Sequence, residues 1–222
     1  APGSVWRCLI RAGRAGIGRD GGRVRDATPP ARHAADRLDL DLPRGDLWVF
    51  GYGSLMWEPG FPHLDHQAAM LYGYHRAFCI LSHFYRGTPE QPGVVLGLDI
   101  GGACRGRAFR VAAAERAAAI RYLLDREMIS GVYRPTLCRV YPDAMPPVQA
   151  LAFVANRQHA QYAGHAPPET IAELIRRGRG ARGPCRDYLE NTVRQLEALG
   201  ISDGPAHHML DLVVALGREG PL

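Results

Sequence analysis

The strongest constraint on this chain's fold lies in Val49-Phe50-Gly51-Tyr52-Gly53-Ser54-Leu55-Met56-Trp57, an apolar run that breaks at two glycines ahead of Pro59. Residues 47–50 are apolar, β-branched or aromatic and suit a buried strand, while Gly51 and Gly53 permit positive φ and the close approach of a ligand or a second backbone. A strand that ends this way presents successive free N–H groups, and these can form a concavity for a carboxylate, a carbonyl oxygen or a developing oxyanion. From spacing alone the same residues also fit a tight turn between strands. Two catalytic motifs are excluded. A nucleophile elbow needs glycines two before and two after the serine, where this chain has Tyr52 and Met56. A phosphate-cradling P-loop needs a lysine, and the sequence contains none.

With 222 residues, 46% of them hydrophobic, the chain can build one sizeable domain with a tail. No run approaches the ~18 apolar residues of a membrane span, and no signal-peptide pattern opens the sequence, so the expectation is a cytosolic protein without a membrane partner. Cys8, Cys79, Cys104, Cys138 and Cys185 are widely spaced and odd in number, and they read as reduced, mostly buried thiols. The net charge of +5 is concentrated at one end: residues 1–45 carry nine Arg and five Asp, whereas residues 46–222 carry eighteen Arg and seventeen acids. No basic stripe interleaved with aromatics accompanies it, which argues against a nucleic-acid partner.

Residues 1–45, rich in Gly, Arg, Ala and Pro, read as a flexible N-terminal extension. They contain a G-x-G-x-x-G match at residues 16–21, but residues 22–30 supply no helix to complete a dinucleotide fingerprint. Residues 46–217 form the expected domain, with 218–222 as a tail. After the opening strand, the runs at 68–83, 94–100, 104–111, 136–141 and 148–155 read as five more strands separated by Gly and Pro. Helices are predicted at 112–128, 168–177, 185–199 and 204–216, the last three with Pro near their starts and Gly past their ends. The Gly-Arg segment 176–182 reads as a solvated interhelical loop. His63 and His66 lack a third ligand at metal spacing, so no metal site is expected.

The helix at 112–128 carries the anomaly that points to chemistry. Ile120, Leu123, Leu124 and Met128 form one apolar stripe, and Glu127 falls inside it while Arg121, Tyr122, Asp125 and Arg126 fall elsewhere. A carboxylate buried without a partner costs several kcal/mol or has its pKa raised, so such a position is usually paired or used. The structural alternative is a frayed last turn in which Glu127 reaches solvent.

With the glycine loop and this glutamate in hand, the sequence resembles the ChaC-like, glutathione-specific gamma-glutamylcyclotransferases over roughly residues 47–216. The carriers are the residue 50–57 motif, Gly97-Leu98-Asp99, Cys104-Arg105-Gly106, Arg126-Glu127-Met128 with Gly131-Val132-Tyr133-Arg134-Pro135, Ala152-Phe153-Val154-Ala155-Asn156-Arg157, and Gly183-Pro184-Cys185-Arg186-Asp187-Tyr188-Leu189 with Asn191-Thr192-Val193. Arg107 stands where the family pattern suggests a small apolar residue. The resemblance implies an α+β fold, a small mixed β-barrel with surrounding helices. It implies Glu127 as catalytic acid/base, and Val49, Phe50, Gly51, Tyr52, Gly53, Ser54 and Leu55, with Tyr133 and Tyr188, as substrate-binding residues.

It further implies conversion of glutathione to 5-oxoproline and cysteinylglycine, with no cofactor or metal. A γ-glutamyl amide carries its own nucleophile, because its α-amine can close onto the γ-carbonyl. The protein need supply only a base, oxyanion donors and a pocket that enforces the folded conformer. The alternatives are a related cyclotransferase acting on other γ-glutamyl compounds and a non-catalytic regulatory binding protein of the same fold. A buried base is of little use to the latter.

Overall fold

The computed structural model describes residues 40–218. The G-x-G-x-x-G match and nearly all of the N-terminal extension lie outside these residues, as does the tail beyond Arg218. Five strands close into a barrel: β1 (Leu47–Gly51), β2 (Asp65–Ser82), β3 (Gly93–Val111), β4 (Tyr133–Pro142) and β5 (Val148–Ala155), in the spatial order β1-β3-β2-β4-β5. All neighbours are antiparallel except the closing pair, in which β1 runs parallel to β5 through Trp48–Ala150 and Val49–Leu151. The strands are mixed and the helices cover the outside, as the resemblance implies.

β1 is buried because both of its faces are covered. Leu47 and Val49 pack with Ile120 and Leu123 of α1 (Arg116–Glu127), whereas Phe50 joins the larger core of Leu71, Leu98 and Val140. Three further helices, α2 (Pro168–Arg177), α3 (Cys185–Ala198) and α4 (Gly204–Arg218), dock Ile175, Leu189, Leu196 and Val213 onto that larger core. Pro168 at the start of α2 and Gly178 at its C-cap place that helix where the sequence predicts it.

The runs 94–100 and 104–111 are one strand. Gly101 (φ 107°) and Gly102 (φ 68°) face Gly73 (φ 87°) on β2, so the β2–β3 ladder bends there through a bulge and continues without turning back. The Gly-Arg segment also differs from a solvated loop: β6 (Arg179–Gly180) and β7 (Gly183–Pro184) form a miniature hairpin. The Ala181 and Arg182 amides between them donate to the Phe84 and Tyr85 carbonyls.

Several motif residues have structural roles. Asp99 is buried, and it accepts hydrogen bonds from Arg157 Nε (2.7 Å), the Tyr162 hydroxyl (2.7 Å) and the Ile100 amide (2.9 Å). His63 and His66 pack edge-on to each other at 5.6 Å, and His63 lies 5.1 Å from the Phe109 ring. Leu40 and Leu42 pack against the cluster of Leu47, Phe109 and Leu123, so the packed chain begins ahead of residue 46. Cys79, Cys104, Cys138 and Cys185 are free and buried.

Candidate active site

The loop that follows β1 contains a short 3₁₀ turn, Ser54–Met56, and sits against the end of α1. Neither Gly51 nor Gly53 uses the positive φ open to it. Gly51 is favoured by close approach: a Cβ there would lie 3.1 Å from Leu55 and 3.3 Å from the Phe109 ring, a tight fit that would push on both. The turn consumes the amides of Met56, Trp57 and Glu58, which donate to Gly53 or Ser54 carbonyls. Among the described residues, the amides from Tyr52 to Leu55 donate to no loop, turn or cap carbonyl.

A cleft of 780 Å³ opens beside this loop. Ser54, Tyr122, Arg126, Glu127, Tyr133 and Tyr188 line it, and its other wall comes from His83 to Arg86 and Arg182. Glu127 is the last residue of α1, with its side chain only 17% exposed. Burial raises its pKa above the ordinary glutamate range, and Arg126, with Nε 3.2 Å from Oε1, draws it back only in part. Arg126 also joins the site to the loop: it donates to Ser54 Oγ (2.8 Å), the Glu58 carbonyl (2.8 Å) and the Tyr122 hydroxyl (2.9 Å).

Three phenols lie close enough to the carboxylate to feel its charge. The Tyr133 hydroxyl donates to the Leu96 carbonyl (2.6 Å), the Leu96 amide donates to the Tyr188 hydroxyl (3.4 Å), and the Tyr52 hydroxyl donates to the Phe153 carbonyl (2.9 Å). Burial pushes all three pKa values up, Tyr188 to about 12, and the charge of Glu127 adds to the effect. They are therefore neutral hydrogen-bonding groups at physiological pH. Glu127 is the group in the cleft whose ionisation is moved toward neutrality, the condition for a side chain that both accepts and returns a proton.

The ChaC-like protein family model matches residues 47–219. The chain belongs to that family. This ChaC-like chain is 36% identical over 175 residues to the glutathione-specific gamma-glutamylcyclotransferase of Escherichia coli (strain K12), covering 79% of this chain and 76% of that protein. It is 35% identical over 203 residues to the Homo sapiens glutathione-specific gamma-glutamylcyclotransferase 1, covering 87% and 90%. A crystal structure of a yeast gamma-glutamylcyclotransferase specific to glutathione superposes with a TM-score of 0.71 at 18% identity, over 77% of this chain and 96% of that one, which establishes the shared fold.

Of the residues predicted for the ChaC-like site, Glu127, Ser54, Tyr133 and Tyr188 line one cleft. Val49, Phe50, Gly51, Tyr52, Gly53 and Leu55 do not line it. Val49 and Phe50 are fully buried and face Phe109 and Ala108 across the β1–β3 ladder, and Leu55 packs under α1. Any part played by Tyr52 or Gly53 falls to the backbone. Tyr122, Arg126 and Arg86 are cleft residues to which the sequence assigns no site role, and Arg182, from the segment that could hold an anion but reads as a solvated loop, also lines the cleft. The usable signal for the first pair was spacing, since Tyr122 and Arg126 are four residues apart and share a helix face.

Proposed function

We propose that this chain is a gamma-glutamylcyclotransferase that cleaves glutathione to 5-oxoproline and cysteinylglycine, with Glu127 as acid/base. The observation that carries the reading is the Glu127 carboxylate, mostly buried and held with raised pKa in a cleft beside a loop whose Tyr52 to Leu55 amides donate to no loop, turn or cap carbonyl among the described residues. The relatives named as glutathione-specific cyclotransferases support the same substrate.

Glu127 takes a proton from the substrate's α-ammonium, and the freed amine attacks the γ-carbonyl carbon to form the lactam C–N bond. The amides from Tyr52 to Leu55 stabilise the oxyanion. Collapse of that intermediate breaks the γ-amide C–N bond as Glu127 returns its proton to the departing cysteinylglycine nitrogen; the Glu127 carboxylate then takes the second proton from the cationic lactam nitrogen and passes it to the product amine, which leaves as an ammonium. Neither an enzyme nucleophile nor an oxidant is needed, and the atoms balance. Tyr133 and Tyr188 shape the pocket around the folded γ-glutamyl group. At the other wall, Arg86 Nη1 is engaged by the Arg182 carbonyl (2.7 Å) and the Pro184 carbonyl (3.0 Å), its guanidinium lies 5.6 Å from the Tyr188 ring, and Arg182 stacks on Tyr85 at 4.4 Å. Two cations on this wall favour a leaving group that ends in a carboxylate, as cysteinylglycine does. Cys79, Cys104, Cys138 and Cys185, free and buried among the described residues, fit a reducing, cytosolic setting.

Measuring 5-oxoproline release from glutathione tests the reading. Glu127→Gln keeps the shape of the side chain but cannot take up the proton, and turnover should fall at least about 10²- to 10⁴-fold. Glu115→Gln, exposed at the start of the same helix, should leave turnover unchanged. Near wild-type release by Glu127→Gln removes the glutamate from the mechanism.

A further inference from the structure

Arg76, on β2, is 4% exposed, and all three guanidinium nitrogens are engaged. Its Nε donates to the Tyr52 carbonyl (2.5 Å), one Nη is ion-paired with Asp203, and the other donates to the Arg105 carbonyl (2.7 Å) and approaches Met56 Sδ (3.9 Å). Asp203 is itself fixed by the Ala206 amide (3.0 Å) at the start of α4. Arg76 is absent from the cleft lining, and a buried arginine is costly unless each of its donors is used. What it holds is the peptide that joins Tyr52 to Gly53.

In a planar trans peptide the C=O and N–H point in opposite directions. With the Tyr52 oxygen drawn onto Arg76, the Gly53 N–H is turned to the far side of the peptide, away from the guanidinium. Gly53 lies against Leu96, since a Cβ there would sit 3.4 Å from the Leu96 side chain. The backbone of Leu96 binds the hydroxyls of Tyr133 and Tyr188, both cleft residues. The next residue, Ser54, lines the cleft itself, and the Gly53 amide donates to no loop or turn carbonyl among the described residues.

We propose that Arg76 is a positioning residue that aims the Gly53 N–H at the substrate's γ-carbonyl oxygen, so that this amide is the oxyanion donor of the reaction. The assignment rests on the cyclotransferase reading given above. An arginine suits the task because its planar fork can hold Tyr52, Arg105 and Asp203 together, which the single ammonium of lysine cannot do.

The test compares glutathione with its γ-thioamide analogue, in which sulfur, a weak hydrogen-bond acceptor, replaces the γ-carbonyl oxygen. The variants are Arg76→Gln with Asp203→Asn, which removes both buried charges together, and Arg76→Lys. Melting curves establish that each is folded, and Arg76→Lys, which keeps a cation beside Asp203, decides the matter if the double variant unfolds. Removing one oxyanion donor costs about 10²- to 10³-fold in kcat, so kcat for glutathione should fall in that range with KM little changed. The thioamide should lose far less, and the oxygen-to-sulfur rate ratio should therefore collapse relative to wild type. Intrinsic differences between the two substrates cancel in that comparison. A merely structural role slows both substrates equally and leaves the ratio at its wild-type value, which overturns the proposal alone. Wild-type protein that releases no 5-oxoproline from glutathione overturns it together with the reading on which it rests.

Discussion

Replacing Arg126 separates the electrical from the mechanical support of Glu127. Arg126 Nε lies 3.2 Å from the Glu127 carboxylate, and the two side chains are 21% and 17% exposed. Coulomb's law at that separation gives about 5 kcal/mol at an effective dielectric of about 20, an upper bound for a pair that still touches water. Adjacent opposite charges move carboxylates by about 1–3 pKa units in practice, at about 1.4 kcal/mol per unit. Burial raises the Glu127 pKa and Arg126 lowers it, so Arg126→Gln must raise it further. The base form is the carboxylate, and the acid limb of kcat/KM should therefore move to higher pH by about 1–3 units. Arg126→Lys keeps a positive charge but loses the fork that reaches Ser54 Oγ and the Glu58 carbonyl. Its acid limb should stay near the wild-type position while KM rises as the loop loosens. The assay is initial-rate 5-oxoproline release at substrate concentrations well below KM, across the acid and neutral range, where the upward-shifted carboxylate changes charge. An Arg126→Gln profile that is scaled down but unmoved along the pH axis refutes the electrostatic coupling.

Glu127→Gln should also melt higher than wild type near neutrality. The folded-state pKa lies above the unfolded value, so the stability linked to this group is fully present below about pH 4.3 and is lost as pH rises through the folded pKa. The gain in melting temperature should thus vanish near pH 4, and a gain that persists there counts against the linkage. Deleting residues 1–39 should leave turnover unchanged. Deleting residues 1–45 removes Leu40, Leu42 and the Pro43 and Gly45 carbonyls that accept from Arg116, and should cost about 1–3 kcal/mol in denaturant titration; equal stability of the two truncations would show that this contact is idle.

The parts of the fold legible in the sequence are those with a local cause. α2 is bounded by Pro168 and Gly178, and Glu127 stands out because a carboxylate breaks an apolar helical stripe. At the β3 break Gly101 and Gly102 signal a turn locally, and only the pairing of their flanks with Tyr72 and Tyr74 shows that the ladder continues. Barrel closure is further out of reach, since the parallel contact of Val49 with Leu151 joins residues a hundred positions apart and leaves no trace in either strand's pattern. The arginines were hidden for another reason. Where all 27 basic residues are Arg, an arginine carries no contrast, and only the folded chain distinguishes Arg76, at 4% exposure, from the exposed arginines among the described residues.

Those arginines share one geometric task. Arg76 from β2 takes the Tyr52 carbonyl, Arg107 from β3 takes the Met56 carbonyl (3.0 Å), and Arg126 from α1 takes the Glu58 carbonyl together with Ser54 Oγ. Three elements thus grip one loop by its acceptors. Loop carbonyls drawn to guanidinium groups cannot turn toward a developing oxyanion, where they would repel it, and the positive charges behind them favour negative charge in front. The departure at Arg107 from the small apolar residue suggested by the family resemblance fits this scheme, because it adds an anchor at the C-terminal end of the 3₁₀ turn. Of these cations Arg126 opposes the rise in the Glu127 pKa, and burial outweighs it, as the net upward shift indicates. Under the proposed mechanism, an apolar helix face for the base and a cation-gripped loop for the oxyanion are opposite electrostatic environments, and seating one at the end of α1 and the other after β1 keeps them apart at the edge of one cleft.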